Sequence, residues 1–429
     1  MKILDAFRAK KTTTEAFKDV YEQYVTDASF LWVLRSIGLN QPHYSCADIA
    51  DLEKRIDANL DGLMNSLDIA WDICLEALSF EQPGEIFTAA IVAFRSRDVE
   101  KIKTVVSVGL SNEATIKGLT SAMGWLPGNL VHSWIQKFLS SKDLIHKYLS
   151  VAVCSVRREN PGDILTSLLQ REDCIAHKKL RSRLLRFIGE MKLHNFQWAL
   201  DEAYDDDDPD VKFWVNWSTV LLGDYSAVDQ LQDYVESHGS LQHLAIQTAF
   251  RVLPVETARQ WISRLAADPE QARAVIQATG VLGDPLPVPW LIEKMRKMET
   301  AKIAAEAFVM ITGISLERYE LMIDGPDVIT VVPNDDPNDE NVSLDEDENL
   351  PFPDVDKVAY TWQKHGGKYA AGQRYFMGSA ISPEALQSKI KDGLQRQRQA
   401  AALQLALLEP ETLLVNTKEK VANEQLSSQ

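Results

Sequence analysis

Cysteine is scarce and scattered. Cys46, Cys74, Cys154 and Cys174 form no C-x-x-C pair. Neither a zinc site nor a disulfide framework is expected, and the four read as small buried hydrophobes of a reduced compartment. Long apolar runs are missing too: none approaches the roughly 18 residues that span a bilayer. Charges interrupt the first eleven residues too early for the apolar core of a signal peptide. The expected setting is therefore the cytoplasm, with no membrane partner. The sequence also lacks a G-x-S-x-G elbow, a P-loop, an H-E-x-x-H pair and a G-x-G-x-x-G loop. His365-Gly366-Gly367 has the look of an esterase oxyanion loop, but without a nucleophile elbow it reads as a glycine turn. The eight histidines are scattered, and His238 and His243, five apart, do not share a helix face. Neither Asp205–Asp208 nor Asp345–Glu348 has the ligand order of an EF-hand. No catalytic residue, cofactor or metal ligand is expected, and the chain does not read as an enzyme.

Basic charge is also in deficit. The formal charge is −17 and the pI about 5.0. Between Met322 and Asp356 stand 12 Asp or Glu and no Lys or Arg, so the remainder of the chain carries only about −5. Such a surface repels nucleic acid and anionic lipid and suits a basic protein. The acidic stretch also reads as a solvated linker, and both readings stand at this point. Gln395-Arg396-Gln397-Arg398 is a small basic patch. It is expected to pair with the chain's own acidic segment or to cap the helices, since the basic charge is too low for a phosphate groove.

What the sequence does have is a core and a period. It is 45% hydrophobic and 25% charged, ordinary values for a globular chain. Residues 85–321 read as helix after helix. Breaks recur near Arg95, Trp125 and Ser155. Gly223, Gly283 and Gly313 then fall on multiples of 30 residues, with Leu253 in the empty slot. Gly189 stands 34 residues before Gly223, and the run Asp205-Asp206-Asp207-Asp208-Pro209 supplies the excess. Acids and a first-turn Pro suit the start of a helix there. One helical hairpin cannot bury its own apolar face, but stacked hairpins can. The expected fold is all-α: an α-solenoid of HEAT-like helical hairpins with a period of about 30, shorter than the roughly 40–47 of standard HEAT and armadillo repeats.

The flanks break the period. Residues 1–84 read as an N-terminal helical cap, with helices expected over Tyr21–Ile37 and from Asp48 to Leu78. Residues 322–356, with five prolines among the acids, read as a loop, which at this length is often functional. Residues 357–429 read as a C-terminal helical region. It holds a glycine-rich turn around Arg374-Tyr375-Phe376, a helix from the Ser382-Pro383 cap to Leu408, and a frayed polar tail from about Asn416.

The phrase Ala28-Ser29-Phe30-Leu31-Trp32-Val33-Leu34-Arg35 and the stretch Asp51–Leu63 resemble the opening of an uncharacterised proteobacterial family of HEAT-like repeat proteins. Leu350-Pro351-Phe352-Pro353-Asp354, Gly372-Gln373-Arg374-Tyr375 with Gly378, and Gly393–Arg398 with Ala400–Leu403 are similar to that family's C-terminal signature stretches. The likeness covers nearly the whole chain and departs at Asn423-Glu424-Gln425, where the family ends in basic residues. Genes of that family lie in type VI secretion neighbourhoods, beside genes for secreted effectors. The resemblance therefore implies an accessory role and supplies no catalytic residue.

The leading expectation is a cytoplasmic immunity protein that binds and neutralises a co-encoded, basic effector toxin, using steered association. The alternative is an adaptor or chaperone that loads an effector onto the secretion apparatus. An enzyme or nucleic-acid binder on the same scaffold is the third reading. The residues expected to meet the partner are Asp205, Asp206, Asp207, Asp335, Asp336, Asp345, Glu346, Asp347 and Glu348. Trp217 joins them because Trp is favoured at binding hot spots, although core packing is the commoner fate of a Trp between helices.

Overall fold

The computed structural model describes residues 2–324 and 347–421, with side chains from Phe17 onward. Among the described residues the regular structure is helical apart from one pair of two-residue strands and isolated bridge residues, so the class is all-α. Two compact units form. The first holds Met1–Leu39, Tyr44–Met191 and Asn416–Gln429; the second holds Asn40–His43 and Lys192–Val415. The boundary at Met191 falls inside the zone whose sequence reads as one repeat array.

The first unit contains α1 (Lys2–Gly38), α2 (Cys46–Leu63), α3 (Leu67–Ala77), α4 (Pro83–Ser96), α5 (Val99–Gly109), α6 (Glu113–Trp125), α7 (Gly128–Leu139), α8 (Leu144–Arg157), α9 (Ile164–Gln170), α10 (Glu172–Ala176) and α11 (Lys178–Glu190). Local chemistry sets their starts. The Ser45 hydroxyl accepts the Asp48 N–H while the Asp48 carboxylate accepts the Ser45 N–H, a reciprocal cap that opens α2. Ile49, Leu52, Ile56, Leu60 and Leu63 then fall on one buried face. Asn112 and Thr115 cap α6 in the same way, and Asp98 and Asp143 cap α5 and α8. Helix α4 is buried from Ile86 through Phe94, which is why its sequence shows no polar stripe. Neighbours pair as hairpins, and alternate helices also pack together, α4 on α6 and α6 on α8, while α8 meets α11 past the short α9 and α10.

The second unit contains α12 (Gln197–Glu202), α13 (Pro209–Leu221), α14 (Gln232–Glu236), α15 (Gln242–Val252), α16 (Val255–Leu265), α17 (Ala272–Leu282), α18 (Val288–Lys294), α19 (Met298–Thr312), α20 (Val355–His365), the antiparallel strands β1 (Tyr375–Phe376) and β2 (Ser379–Ala380), α21 (Pro383–Asp392) and α22 (Gln395–Leu408). Alternate packing recurs, α15 on α17 and α17 on α19. Gly283 and Gly313 close α17 and α19 in the left-handed conformation, at φ 73° and 64°, as a helix C-terminus favours. Leu253 ends α15 in an extended conformation, imposed by Pro254.

The glycine-rich segment after α20 is a strap across those helix ends. Tyr375 N–H donates to the Gly283 carbonyl at 2.8 Å, Met377 N–H to Met310 at 2.7 Å, and Gly378 N–H to Ile311 at 3.0 Å. The Tyr369 hydroxyl donates to the Thr312 carbonyl at 2.6 Å, and the Arg374 guanidinium donates to the carbonyls of Arg251 and Leu253. Three helices thus have terminal carbonyls satisfied by one segment.

Several expectations change. Gly189 is the penultimate residue of α11, so its period mark falls at a helix end, but the left-handed residue there is Lys192, at φ 53°. The helix expected from Ser382 to Leu408 is two, because Gly393 and Leu394 turn extended between α21 and α22. The polar tail does not fray at Asn416, for Thr417 and Val421 are buried in the first unit; its remainder, 422–429, lies outside the described residues. Cys74, Cys154 and Cys174 are buried as expected, whereas Cys46 is only half-buried.

Candidate functional site

The carboxylates before α13 divide by task. Asp208 is the N-cap and accepts the N–H groups of Asp210 and Val211, with Pro209 in the first turn. Asp206 accepts the Asp208 N–H at 2.9 Å and so shapes the turn. Asp205 and Asp207 are exposed. This part of the acidic set combines helix-capping work with two free-standing surface charges.

The acidic stretch 322–356 is tied at its two described ends. Ile323 N–H donates to the Phe352 carbonyl at 3.1 Å, Asp354 N–H to Leu321 at 2.7 Å, and Met322 bridges Pro353. Asp335, Asp336, Asp345 and Glu346 lie outside the described residues. Asp347 does not stand ready for a partner as expected. It is 7% exposed, ion-paired to Arg273, and 3.2 Å from Arg396, which also holds Glu306 at 3.0 Å. Burial raises the Asp347 carboxyl, but the hydrogen bond and charge of Arg273 outweigh it and hold the group below its ordinary value. Glu306 moves the other way, because burial outweighs its share of Arg396. Glu348 is exposed, and its carbonyl accepts Lys302 Nζ at 2.8 Å. Asn349 reaches Gln41 at 3.1 Å. The basic patch is therefore spent internally: Arg396 pairs with the chain's own acids, and Arg398, 1% exposed, donates to the Ile390 carbonyl at 2.7 Å.

Trp217 is a correction. It is 2% exposed within the core of the second unit, among Phe213, Leu221, Ile246 and Phe250, and meets Trp214 edge-on at 5.3 Å. None of the ten tryptophans is exposed. Between stacked helices a large flat side chain is worth more as filler than as an outward anchor. Sequence reasoning did not find Arg273, Glu306 and Lys302, which hold the acidic stretch. Each is a charged residue on an amphipathic helix, and nothing local marks its distant partner.

On the first unit an open cleft of about 520 Å3 is lined by His132, Ile135, Gln136, Cys154, Glu159 and Asn160, with Pro161 beside them. His132 Nε2 lies 3.0 Å from Glu159, which also pairs with Arg157 at 2.8 Å. Burial pushes the Cys154 thiol up to about 12, so it offers no thiolate at neutral pH. His365, of the suspected oxyanion triplet, ends α20 ahead of a 3-10 turn. Among the described residues no three His, Cys, Asp or Glu gather where a metal could be held. No helix among them is long and apolar enough to cross a membrane. No family model matches the chain, no curated protein matches it, and no solved structure matches it.

Proposed function

We propose that the protein is a cytoplasmic binding scaffold of stacked HEAT-like hairpins, α-solenoid in kind within each unit, which acts as an immunity protein beside a type VI secretion system and neutralises a basic effector toxin. Support for the stacking comes from the alternate-helix packing of both units. The observation that carries the binding role is the charge of the sequence: 12 carboxylates and no Lys or Arg between Met322 and Asp356, of which Asp347 is taken up by Arg273 and Arg396. An excess of charge of one sign speeds encounter with an oppositely charged protein and loses that advantage in salt. Three of the stretches that carry the family likeness serve as joints here: 350–354 ties the described ends of the acidic segment together, 372–378 straps helix ends, and 393–398 breaks α21 from α22. That use suits a scaffold, which needs shape rather than reactive groups.

The test is co-expression with the toxic domain encoded beside this gene, followed by affinity measurements on the purified pair at low and high salt. Growth rescue with nanomolar binding, and an association rate that falls steeply with salt, is the expected result. Binding without rescue moves the role to the adaptor that loads an effector, and absence of binding overturns both.

A further inference from the structure

The last described residues, Asn416–Val421, lie in the first unit as a peptide lies in a receptor. Arg35 and Glu53, 4% and 3% exposed, form an ion pair at 2.7 Å between α1 and α2. That pair reads main chain. Arg35 Nη2 donates to the carbonyls of Lys418 and Glu419, both at 3.1 Å, and the second Glu53 oxygen accepts the Val421 N–H at 2.9 Å. Three side chains find dedicated places. Asn416 Nδ2 donates to the Val156 carbonyl at 2.8 Å. Lys420 Nζ sits 2.7 Å from Asp57 and 4.6 Å over the Trp125 ring, while the Trp125 indole N–H donates to the other Asp57 oxygen at 2.9 Å. Val421 enters an apolar pocket with Leu39 and Ile49, edged by Tyr44, Cys46 and Ala50.

Emptied of the segment, this groove would leave a buried ion pair with unsatisfied donors and acceptors, a costly state. It therefore demands an occupant, and its demands are chemical rather than tied to one chain. The segment is a turn, closed by Glu419 N–H donating to the Asn416 carbonyl at 3.0 Å. Main-chain hydrogen bonds hold that turn whatever its sequence, and the flanking pockets select side chains. An aromatic face backed by a carboxylate selects a cation, and the apolar pocket beside it selects a branched aliphatic residue.

We propose that this groove is a peptide-recognition site, occupied in cis by Asn416–Val421, which accepts in trans a turn-forming segment of another polypeptide bearing a Lys followed directly by a branched aliphatic residue. The toxin-binding reading neither requires this site nor depends on it.

The probe is a fluorescein-labelled synthetic peptide of residues 414–422. It is titrated by anisotropy into the full chain and into the full chain carrying Lys420→Ala and Val421→Asp, which weaken the resident tail and leave the groove intact. The doubly substituted chain should bind the peptide about tenfold or more tighter than the unsubstituted chain. Adding Glu53→Gln should abolish that gain, and a peptide with the same two changes should bind neither chain. In the unsubstituted chain, excess peptide should speed hydrogen exchange at the chain's own Val421 amide, a readout that needs no variant to fold. Equal affinity for both chains, no binding to the folded doubly substituted chain, or unaltered Val421 exchange at saturating peptide overturns the proposal.

Discussion

Glu190 is a heavily committed side chain of the first unit. One oxygen accepts Arg186 Nε at 2.7 Å, and the other accepts the Ser155 hydroxyl and Arg183, with Arg158 3.8 Å away. Burial alone would raise this carboxyl, but three guanidiniums, Arg183 foremost, hold it well below the ordinary carboxylate range. Glu190→Gln strands buried cations and is expected to cost about 3–5 kcal/mol. Arg186→Ala removes a partner that is 40% exposed, so it should cost roughly 0–1 kcal/mol. Urea unfolding of both variants checks the contrast, and equal losses would refute the arrangement. Lys192 is the counterpart in the second unit. Its ammonium donates to the carbonyls of Leu221 and Ala406, and burial draws its pKa from 10.5 down to about 8. The unfolded chain then holds more protons than the folded one between about 8 and 10.5. Stability from this group therefore rises with pH across that window. NMR titration of Nζ should place the midpoint near the lower limit; an ordinary lysine value would remove the effect. Neither residue was legible in the sequence. The flanking Gly189 drew attention as a helix end, while Glu190 and Lys192 look like surface charges until Ser155, Leu221 and Ala406 are brought to them.

The strap over α15, α17 and α19 shows the same divide for whole elements. Gly378 has φ +82°, and a Cβ there would stand 2.5 Å from the Thr312 carbonyl oxygen. Gly372 has φ +83° with open space around it. Gly378→Ala therefore meets both backbone strain and a clash and should cost about 2–4 kcal/mol. Gly372→Ala meets strain alone and should cost about 1–2 kcal/mol. Hydrogen exchange resolves the mechanism further: in Gly378→Ala the last turn of α19 should open first, and uniform loss of protection across the unit would refute the strap's role. Helix starts and stops were legible where one residue does the work alone. Asp208-Pro209 and Ser382-Pro383 open helices, and Gly283 and Gly313 close them. The strap was seen only as a glycine-rich turn, since strands of two residues leave no alternation to read. The break at Gly393 was missed because its neighbours continue a helical pattern on both sides.

For the whole molecule, the order of the chain and the order of the folded units differ. The chain leaves the first unit at Met191, builds most of the second, and returns at Asn416 to finish the first. Composition hid this return, because Asn-Thr-Lys-Glu-Lys-Val reads as a solvated end until Glu53 and Arg35 are known to be buried opposite it. A unit completed by the far end of the chain depends on distant residues for its core. Deleting residues 416–429 takes two carbonyls and an N–H from a buried ion pair, removes the cation from Asp57 and Trp125, and opens the pocket that holds Val421. Charged hydrogen bonds of this kind are worth roughly 1.5–3 kcal/mol each when lost, with partial recovery as water enters. The net expectation is a loss of about 2–4 kcal/mol confined to the first unit. Hydrogen exchange should rise in α1 and α2 and stay unchanged in α15, α17 and α19. Equal loss in both units would mean that the tail stabilises the molecule as one cooperative body. Unaltered exchange in α1 and α2 would mean that the Arg35–Glu53 pair is satisfied without it, and either result would reverse the account of the tail as a structural part of the first unit.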